Sequence, residues 1–232
     1  MNAEHAGQSG RTDAALTAFI AGLRCKTTAV AEPVPLPEIG QTGRQVAADD
    51  DLETRFAKAA MAAGMTVHRV SPATWVDELM RLAGELKAGH VLVAAQDGSA
   101  LASAQAAVVG ERLSAAGVTV HTDLSDDTLF SVDVAVTGVS AGIAETGTIV
   151  ATSGPGLARA SSLIPPLHVA VVLAEQIVPD LHDYFALLDA GALPAGVHLI
   201  SGPSKTADIE GILVTGVHGP AQVHILLVSR GA

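Results

Sequence analysis

The pattern of apolar and polar residues divides this chain into two parts. From Leu52 onward, apolar runs of strand length alternate with amphipathic stretches of helix length. Residues 26–51 instead carry three prolines, two glycines and few large apolar residues, which is typical of an extended connector. We therefore expect residues 1–51 to form a tail, a short helix over residues 14–23 and a Pro-rich connector. A single α/β domain is predicted over residues 52–232.

Within the second part, strands are predicted where short β-branched runs lie between turn residues. These runs cover residues 65–70, 91–95, 118–121, 133–137, 147–152, 168–173, 198–200 and 223–228. Helices are predicted over residues 52–63, 72–88, 101–116 and 179–188. Strands that alternate with helices indicate an open, mostly parallel sheet with flanking helices, so the fold class is α/β.

Composition and charge narrow the function classes. The chain is 49% hydrophobic but only 3% aromatic, so its core must be built from Ala, Val, Leu and Ile. The formal net charge of −11 argues against a nucleic-acid groove, because few basic groups could neutralise phosphates. The same charge argues against binding to an anionic membrane surface.

One cysteine, Cys25, limits redox chemistry. No disulfide can form within the chain, and no four-thiolate iron–sulfur cluster can be held by this chain alone. The N-terminus shows no basic segment followed by an apolar core, and the longest apolar runs, such as residues 167–174, are too short to span a membrane. We expect a cytoplasmic location.

The first candidate site is the apolar, glycine-rich stretch 137–150, which has Glu145 in its middle. Burying a carboxylate is costly unless it is paired or used, and Gly147 lets a ligand approach the backbone closely. An ordinary exposed glutamate at a surface turn would explain the same pattern. The sequence therefore leaves both interpretations open.

The second candidate segment, residues 201–210, reads Ser-Gly-Pro-Ser-Lys-Thr-Ala-Asp-Ile-Glu after an apolar run. It predicts a strand-to-helix turn in which Ser204 or Thr206 caps the helix. The free N–H groups at that helix end, together with Lys205, would favour an anion. A plain helix cap with a solvated lysine is the simpler alternative.

The third segment, residues 216–220, places His218 in a Gly-Pro turn before the last predicted strand. All three segments put small and polar residues at a strand end, where open α/β sheets bind ligands. Arg159 follows the glycine turn in sequence and could hold a carboxylate with two hydrogen bonds.

Several catalytic motifs are absent from the sequence. It contains no G-x-G-x-x-G after the first strand, no Walker A motif, no C-x-x-C and no H-E-x-x-H. The nine histidines show no metal-binding spacing. A triad of Ser204, His218 and Asp208 would lack the G-x-S-x-G elbow of serine hydrolases. We therefore expect no metal and no cofactor on this chain.

The combined motifs closely resemble the lactate utilization protein C family, also called LUD-domain proteins. They are residues 133–138, Ala-Glu-Thr-Gly-Thr at 144–148, Gly-Pro-Ser-Lys-Thr-Ala-Asp-Ile-Glu at 202–210, and Gly-Val-His-Gly-Pro at 216–220. The resemblance runs from about Phe56 to the C-terminus. It implies a fold related to ribose-5-phosphate isomerase, glucosamine-6-phosphate deaminase and the CoA-transferases. It also implies a role in oxidising L-lactate to pyruvate with iron–sulfur partner proteins that carry the clusters.

Three functions follow from these observations. The chain could be a non-redox subunit of a lactate-oxidising system, or a free-standing isomerase or acyl/CoA-transferase-like enzyme acting on an anionic small molecule. It could also be a small-ligand sensor without chemistry. In the related enzyme groups a strand-end acidic residue carries the chemistry, and Glu145 occupies a similar place.

We therefore predict Glu145 as the catalytic residue. The predicted ligand-binding residues are Gly138, Thr146, Gly147, Thr148, Arg159, Gly202, Ser204, Lys205, Thr206, Asp208 and His218. This prediction requires Glu145 and Lys205 to face one shared cavity.

Overall fold

The computed structural model describes residues 14–23, 44–47, 49–95, 101, 103–154, 159–188, 193–206 and 214–229. The chain divides into two compact units, residues 1–43 and residues 44–232. In the first unit, residues 14–23 form helix α1, as predicted, and its side chains Leu16, Phe19, Ile20 and Leu23 are exposed.

The second unit begins within the stretch that the sequence analysis assigns to the connector. Arg44 forms an ion pair with Asp183, with 2.9 Å between Nη1 and Oδ2. Val46 is buried. Residues 44–51 therefore belong to the α/β unit, although their Pro- and Gly-rich surroundings look like linker.

Six helices and twelve strands lie in the described part of the chain. The helices after α1 are α2 (Leu52–Ala62), α3 (Trp75–Glu85), α4 (Ser103–Ala115), α5 (Asp126–Ser131) and α6 (Leu181–Ala186). The strands are β1 (Thr66–Val70), β2 (His90–Ala94), β3 (Thr119–His121), β4 (Val134–Gly138), β5 (Ala141–Ile143), β6 (Thr148–Ser153), β7 (Leu167–Leu173), β8 (Ile177–Val178), β9 (Gly196–Ile200), β10 (Lys205–Thr206), β11 (Val214–Thr215) and β12 (Gln222–Val228).

The main sheet confirms the predicted α/β class. Its described strands run in the order β1-β12-β7-β4-β2-β3, and every pair is parallel. The chain turns back between β3 and β4, so β2 and β4 flank a point where the strand order reverses. In open sheets the carboxyl ends of such strands border a crevice, and Gly138 ends β4 there.

A second, smaller sheet was not predicted. Its described strands run in the order β8-β5-β6-β9, with β5–β6 and β6–β9 antiparallel and β5–β8 parallel. β5 and β8 have three and two residues, which is too short to give a period-2 pattern. The prediction of one open sheet is therefore incomplete.

The two faces of the main sheet are covered by different elements. Helices α3 and α4 pack on one face through Leu79, Leu82 and Leu113. On the other face, Phe56 and Ala60 of α2 pack with the second sheet over apolar residues of β7 and β12. α5 packs over β2 and β4 through Leu129 on that same side. The result is a three-layer unit in which one face of α2 packs with the second sheet.

Helix α2 has well-defined ends. Asp51 caps its N-terminus by accepting a hydrogen bond from the backbone N–H of Thr54 at 3.2 Å. Gly64, with φ of +93°, follows its C-cap Ala63, which is the left-handed conformation that commonly ends helices. By contrast, α3 begins at Trp75, three residues beyond the predicted start at Pro72, because residues 72–74 form a turn.

A histidine chain links α3 to the main sheet. His68 Nδ1 lies 2.9 Å from Glu78 Oε1, and His68 Nε2 lies 3.2 Å from His224 Nδ1. The two ring centroids are 5.5 Å apart. Hydrogen bonding from Arg81 holds the pKa of Glu78 below its usual range, and burial lowers the pKa of His224. These contacts of His68 therefore join β1 and β12 to α3.

His168 is a fully buried titratable group in β7. Its Nε2 lies 2.8 Å from Thr137 Oγ1, and its Nδ1 has no hydrogen-bond partner among the described residues. Burial lowers its pKa to about 4. In the unfolded chain the pKa of this histidine is near 6.5, so between these two pKa values the unfolded state binds more protons than the folded state. The free energy of unfolding therefore decreases as pH falls below about 6.5.

We predict that His168→Gln removes much of this acid sensitivity. From about pH 7.5 to about pH 5, the wild-type chain should lose about 2 kcal/mol of unfolding free energy through this group alone. Urea denaturation at both pH values measures the loss. His182→Gln, at an exposed position on α6, is the control. Equal acid sensitivity in the wild type and in His168→Gln would contradict the prediction.

Candidate functional site

Glu145 lies in a tight turn between β5 and β6, residues 144–147. The turn is fixed to the chain after β8, because Ala144 N–H donates to Val178 O at 2.9 Å and Glu145 N–H donates to Pro179 O at 3.0 Å. The Glu145 side chain is half-buried and Thr146 is exposed. The predicted glycine turn is thus present, and the backbone of Glu145 is held in place.

Gly147 brings this turn into direct contact with the backbone of α2. Its φ is +66°, and a Cβ atom added to it would lie 2.1 Å from Ala60 N and 2.5 Å from Ala59 C. No side chain fits in that space. Gly147 therefore allows the backbone of the turn to contact the backbone of α2. This contact places Glu145 beside the helix.

A cavity of about 540 Å³ opens between the Glu145 turn and α2. Its lining residues are Asp50, Asp51, Thr54, Arg55, Lys58, Ala59, Ala62 and Glu145. Arg55, Lys58, Ala59 and Ala62 follow the i, i+3, i+4, i+7 spacing of one helix face. The cavity therefore faces a single stripe of α2 and meets Glu145 on its other side.

Three of the charged groups in this cavity have local partners. Arg55 Nη1 lies 2.9 Å from Asp50 Oδ2, which forms an ion pair. Asp51 caps α2, and its hydrogen bonds with Thr54 lower its pKa. Among the described residues, no hydrogen bond or ion pair involves the side chains of Lys58 or Glu145. These two opposite charges remain available to a ligand.

The second predicted segment lies beside the Glu145 turn. Thr146 Oγ1 is 2.6 Å from Thr148 Oγ1, which is 2.7 Å from Ser201 Oγ. A Cβ atom on Gly202, whose φ is +130°, would lie 2.6 Å from Ala63 O. The hydroxyl contacts therefore join the Glu145 turn to the segment that begins at Ser201. Gly202 brings this segment, like the turn, into close contact with the end of α2.

The predicted helix start at Lys205 is wrong. Lys205–Thr206 form strand β10, paired antiparallel with Val214–Thr215. Ser204 N–H donates to Pro220 O at 2.9 Å, so its backbone is not a free helix end. Residues 207–213, including Asp208, lie outside the described residues. The anion site expected at that helix end has no structural support.

Lys205 lies near the C-terminal end of α2. Its Nζ is 3.4 Å from the position that a Cβ atom on Gly64 would take. A cation near a helix C-terminus interacts favourably with the partial negative charge there. Lys205 is not among the lining residues of the Glu145 cavity, which takes its basic groups from α2 instead. The expectation that Glu145 and Lys205 line one cavity is therefore not met by this cavity.

The third predicted segment contacts the second. Gly216 N–H donates to Ser204 O at 2.8 Å, and a Cβ atom on Gly219 would lie 3.2 Å from Ser204 Cβ. His218 is exposed in this loop. Because the loop precedes β12, it lies at the amino end of the main sheet. The three motifs thus form a row of neighbouring loops.

Two predicted residues lie apart from this row. Gly138 is buried at the carboxyl end of β4, where it pairs with Val171. Arg159 is exposed in the short 3-10 turn Arg159–Ser162. Gly138 and His218 are at opposite ends of the parallel sheet, so the predicted set is not one constellation.

The sequence analysis missed the basic residues of α2. Arg55 and Lys58 are far from Glu145 in sequence, but the helical period of α2 contains the signal. Phe56, Ala57 and Ala60 are buried, so Arg55 and Lys58 must point away from the core. What the period does not reveal is that the Glu145 turn lies against that outward side.

Among the described residues, no group of three or more His, Cys, Asp or Glu side chains could hold a metal ion. None of the helices in those ranges is both long enough and apolar enough to cross a bilayer.

The LUD domain family model matches residues 53–228, which include α2 from its second residue onward, the Glu145 turn and both later loops. The chain belongs to the LUD domain family. This confirms the family that the sequence motifs indicated. The matched range lies within the second unit and contains six of the eight residues that line the cavity described above.

Several curated relatives of this LUD domain are named lactate utilization protein C. Lactate utilization protein C of Exiguobacterium sp. is 43% identical over 101 residues, which cover 41% of this chain and 44% of that protein. Lactate utilization protein C of Bacillus subtilis is 35% identical over 102 residues, covering 42% of each chain. In these matches the chain spans less than half of the length of each relative.

A solved structure supports the fold. The crystal structure of a DUF162 family protein from Deinococcus radiodurans matches with a TM-score of 0.53 and 24% sequence identity. The match covers 77% of this chain and 96% of the other. It shows the LUD-domain architecture alone. The relation to isomerases and CoA-transferases implied by the sequence motifs stays a prediction.

We predict that Gly147→Ala destabilises the LUD domain by at least about 2 kcal/mol, because the added methyl group meets the α2 backbone at a positive φ. Gly84→Ala is the matched control, since a Cβ atom there meets nothing within 4 Å, and it should be neutral or stabilising by up to about 1 kcal/mol. Chemical denaturation of both variants measures the difference. Equal effects would show that the turn does not depend on close contact with α2.

Proposed function

We propose that this LUD-domain protein serves lactate utilization, as a subunit of a system that oxidises L-lactate to pyruvate. The observation that carries the proposal is the family match over residues 53–228, together with relatives named lactate utilization protein C. In this proposal the chain binds a small molecule or assembles the system. It does not carry electrons.

The electron carriers in this proposal are iron–sulfur partner proteins. The chain has one cysteine, and a cluster of the common kind needs four thiolates. Oxidation of a hydroxy acid needs an electron acceptor, so the clusters belong to the partners. A reducing cytoplasm suits a chain that cannot form an internal disulfide.

The proposed ligand site is the cavity between α2 and the Glu145 turn. It combines an apolar wall, formed by Ala59 and Ala62, with the charged side chains of Lys58 and Glu145. Neither of these two has a hydrogen-bond or ion-pair partner in the part of the chain that the structure describes. Such a mixture of apolar surface and a few polar groups is typical of small-molecule sites. An anionic small molecule is the ligand class that we propose for it.

Growth on L-lactate tests this function. A strain lacking the gene should fail to grow on L-lactate as sole carbon source, and the wild-type gene should restore growth. We predict that Glu145→Gln restores it poorly, because the cavity loses its carboxylate, whereas Glu111→Gln on the exposed face of α4 restores it fully. Normal growth of the deletion strain would contradict the proposed role, and full rescue by Glu145→Gln would contradict the proposed site.

The enzyme alternative rests on one observation, a carboxylate at a strand-end turn that lines a cavity. A free-standing isomerase or acyl-transfer enzyme could use Glu145 as base or nucleophile. Purified protein would then convert a sugar phosphate or an acyl-CoA, and Glu145→Gln would abolish turnover without unfolding the domain. Absence of turnover across such substrates favours the subunit role.

A further inference from the structure

We propose that Lys58 is the anion-binding residue of the Glu145 cavity, and that the cavity selects a small 2-hydroxy acid over the corresponding 2-oxo acid. This inference rests on the proposed function, in that the cavity is taken to be the ligand site. It adds that Lys58 binds the carboxylate of the ligand, and that the ligand's hydroxyl group, facing Glu145, decides specificity.

The case for Lys58 comes from the other cations near the cavity. Arg55 is held by Asp50 at 2.9 Å, so binding an anion there would compete with an existing ion pair. Lys205 lies beside Gly64 and does not line the cavity. Lys58 is exposed and has no hydrogen bond or ion pair among the described residues. A ligand carboxylate can therefore bind its ammonium group without breaking a protein contact.

The case for a hydroxyl group comes from Glu145. A carboxylate accepts hydrogen bonds and donates none. A ligand group that faces it must therefore donate, as the O–H of a 2-hydroxy acid does. The carbonyl oxygen of a 2-oxo acid would place two acceptors against each other, leaving both without a partner.

The apolar part of the lining bears on the rest of the ligand. Ala59 and Ala62 present only methyl groups to the cavity, and both lie on the same helix face as Lys58. An aliphatic chain suits these methyl groups, whereas a further charged group would find no partner on them. The cavity, at about 540 Å³, has room for a monocarboxylate with one hydroxyl group.

Isothermal titration of the full chain with L-lactate and with pyruvate tests this inference. The wild type should bind L-lactate at least about tenfold more tightly than pyruvate, the difference expected for one mismatched hydrogen bond. Glu145→Gln presents an amide that both donates and accepts, so the preference should fall to about threefold or less. Lys58→Met should weaken both ligands by at least about tenfold, because both carry the carboxylate.

Two controls keep the result specific. Lys87→Met removes an exposed ammonium after α3, on the opposite face of the main sheet, and should leave both affinities unchanged. Thermal melting of each variant checks that the domain folds. L-alanine serves as a third probe. Tighter binding of L-alanine than of L-lactate would overturn the assignment of a hydroxyl group at Glu145.

Other results of the titrations and of the growth test would overturn either this inference or the proposed function. Equal or tighter binding of pyruvate by the wild type, unchanged binding by Lys58→Met, or no binding of either acid would each overturn the inference. Loss of growth on L-lactate in the deletion strain, combined with no binding of L-lactate, would reject this ligand assignment and leave the subunit role standing. Binding as predicted, with normal growth of the deletion strain, would reject the subunit role alone.

Discussion

The site depends on backbone-to-backbone contact along the second half of α2. Gly147 and Gly202 lie where a Cβ atom would overlap the helix backbone at Ala60 and Ala63. Two loops that are more than fifty residues apart in sequence therefore meet the same helix at close range. Hydroxyl groups of Thr148 and Ser201 then join the loops to each other. Glycine at these positions fixes the distance between the loops and the helix, and thereby the position of Glu145.

This arrangement changes how the family motifs are understood. The Glu-Thr-Gly-Thr and Gly-Pro-Ser-Lys motifs look like two halves of one anion site, with Lys205 as the cation. In the structure the glycines of these motifs pack against α2, and their short hydroxyl side chains lie within hydrogen-bond distance of each other. The charges that face Glu145 come from the helix itself, at Arg55 and Lys58. The motifs therefore position Glu145 beside α2, while the other residues that line the cavity come from α2 and from the two residues before it.

The main sheet could be predicted from the sequence because its strands are strongly apolar and flanked by helices with clear periods. The small sheet could not, since β5 lies inside a continuous apolar stretch and β8 has two residues. The helix predicted at Lys205 failed for a different reason. Its backbone is paired with Val214–Thr215 and with the 216–220 loop, and no local pattern reveals such a partner. Lys58 was missed because its relation to Glu145 exists only after α2 has docked.

The histidine chain that joins β1, β12 and α3 also links the tautomers of two strands. His68 Nε2 and His224 Nδ1 lie 3.2 Å apart, and in a hydrogen bond between them one nitrogen donates and the other accepts. His68 Nδ1 lies 2.9 Å from a carboxylate oxygen of Glu78, which can only accept, so His68 carries a proton on Nδ1. With that one proton on His68, its Nε2 accepts and Nδ1 of His224 donates. Glu78 on α3 thereby selects the tautomer of a histidine on β12.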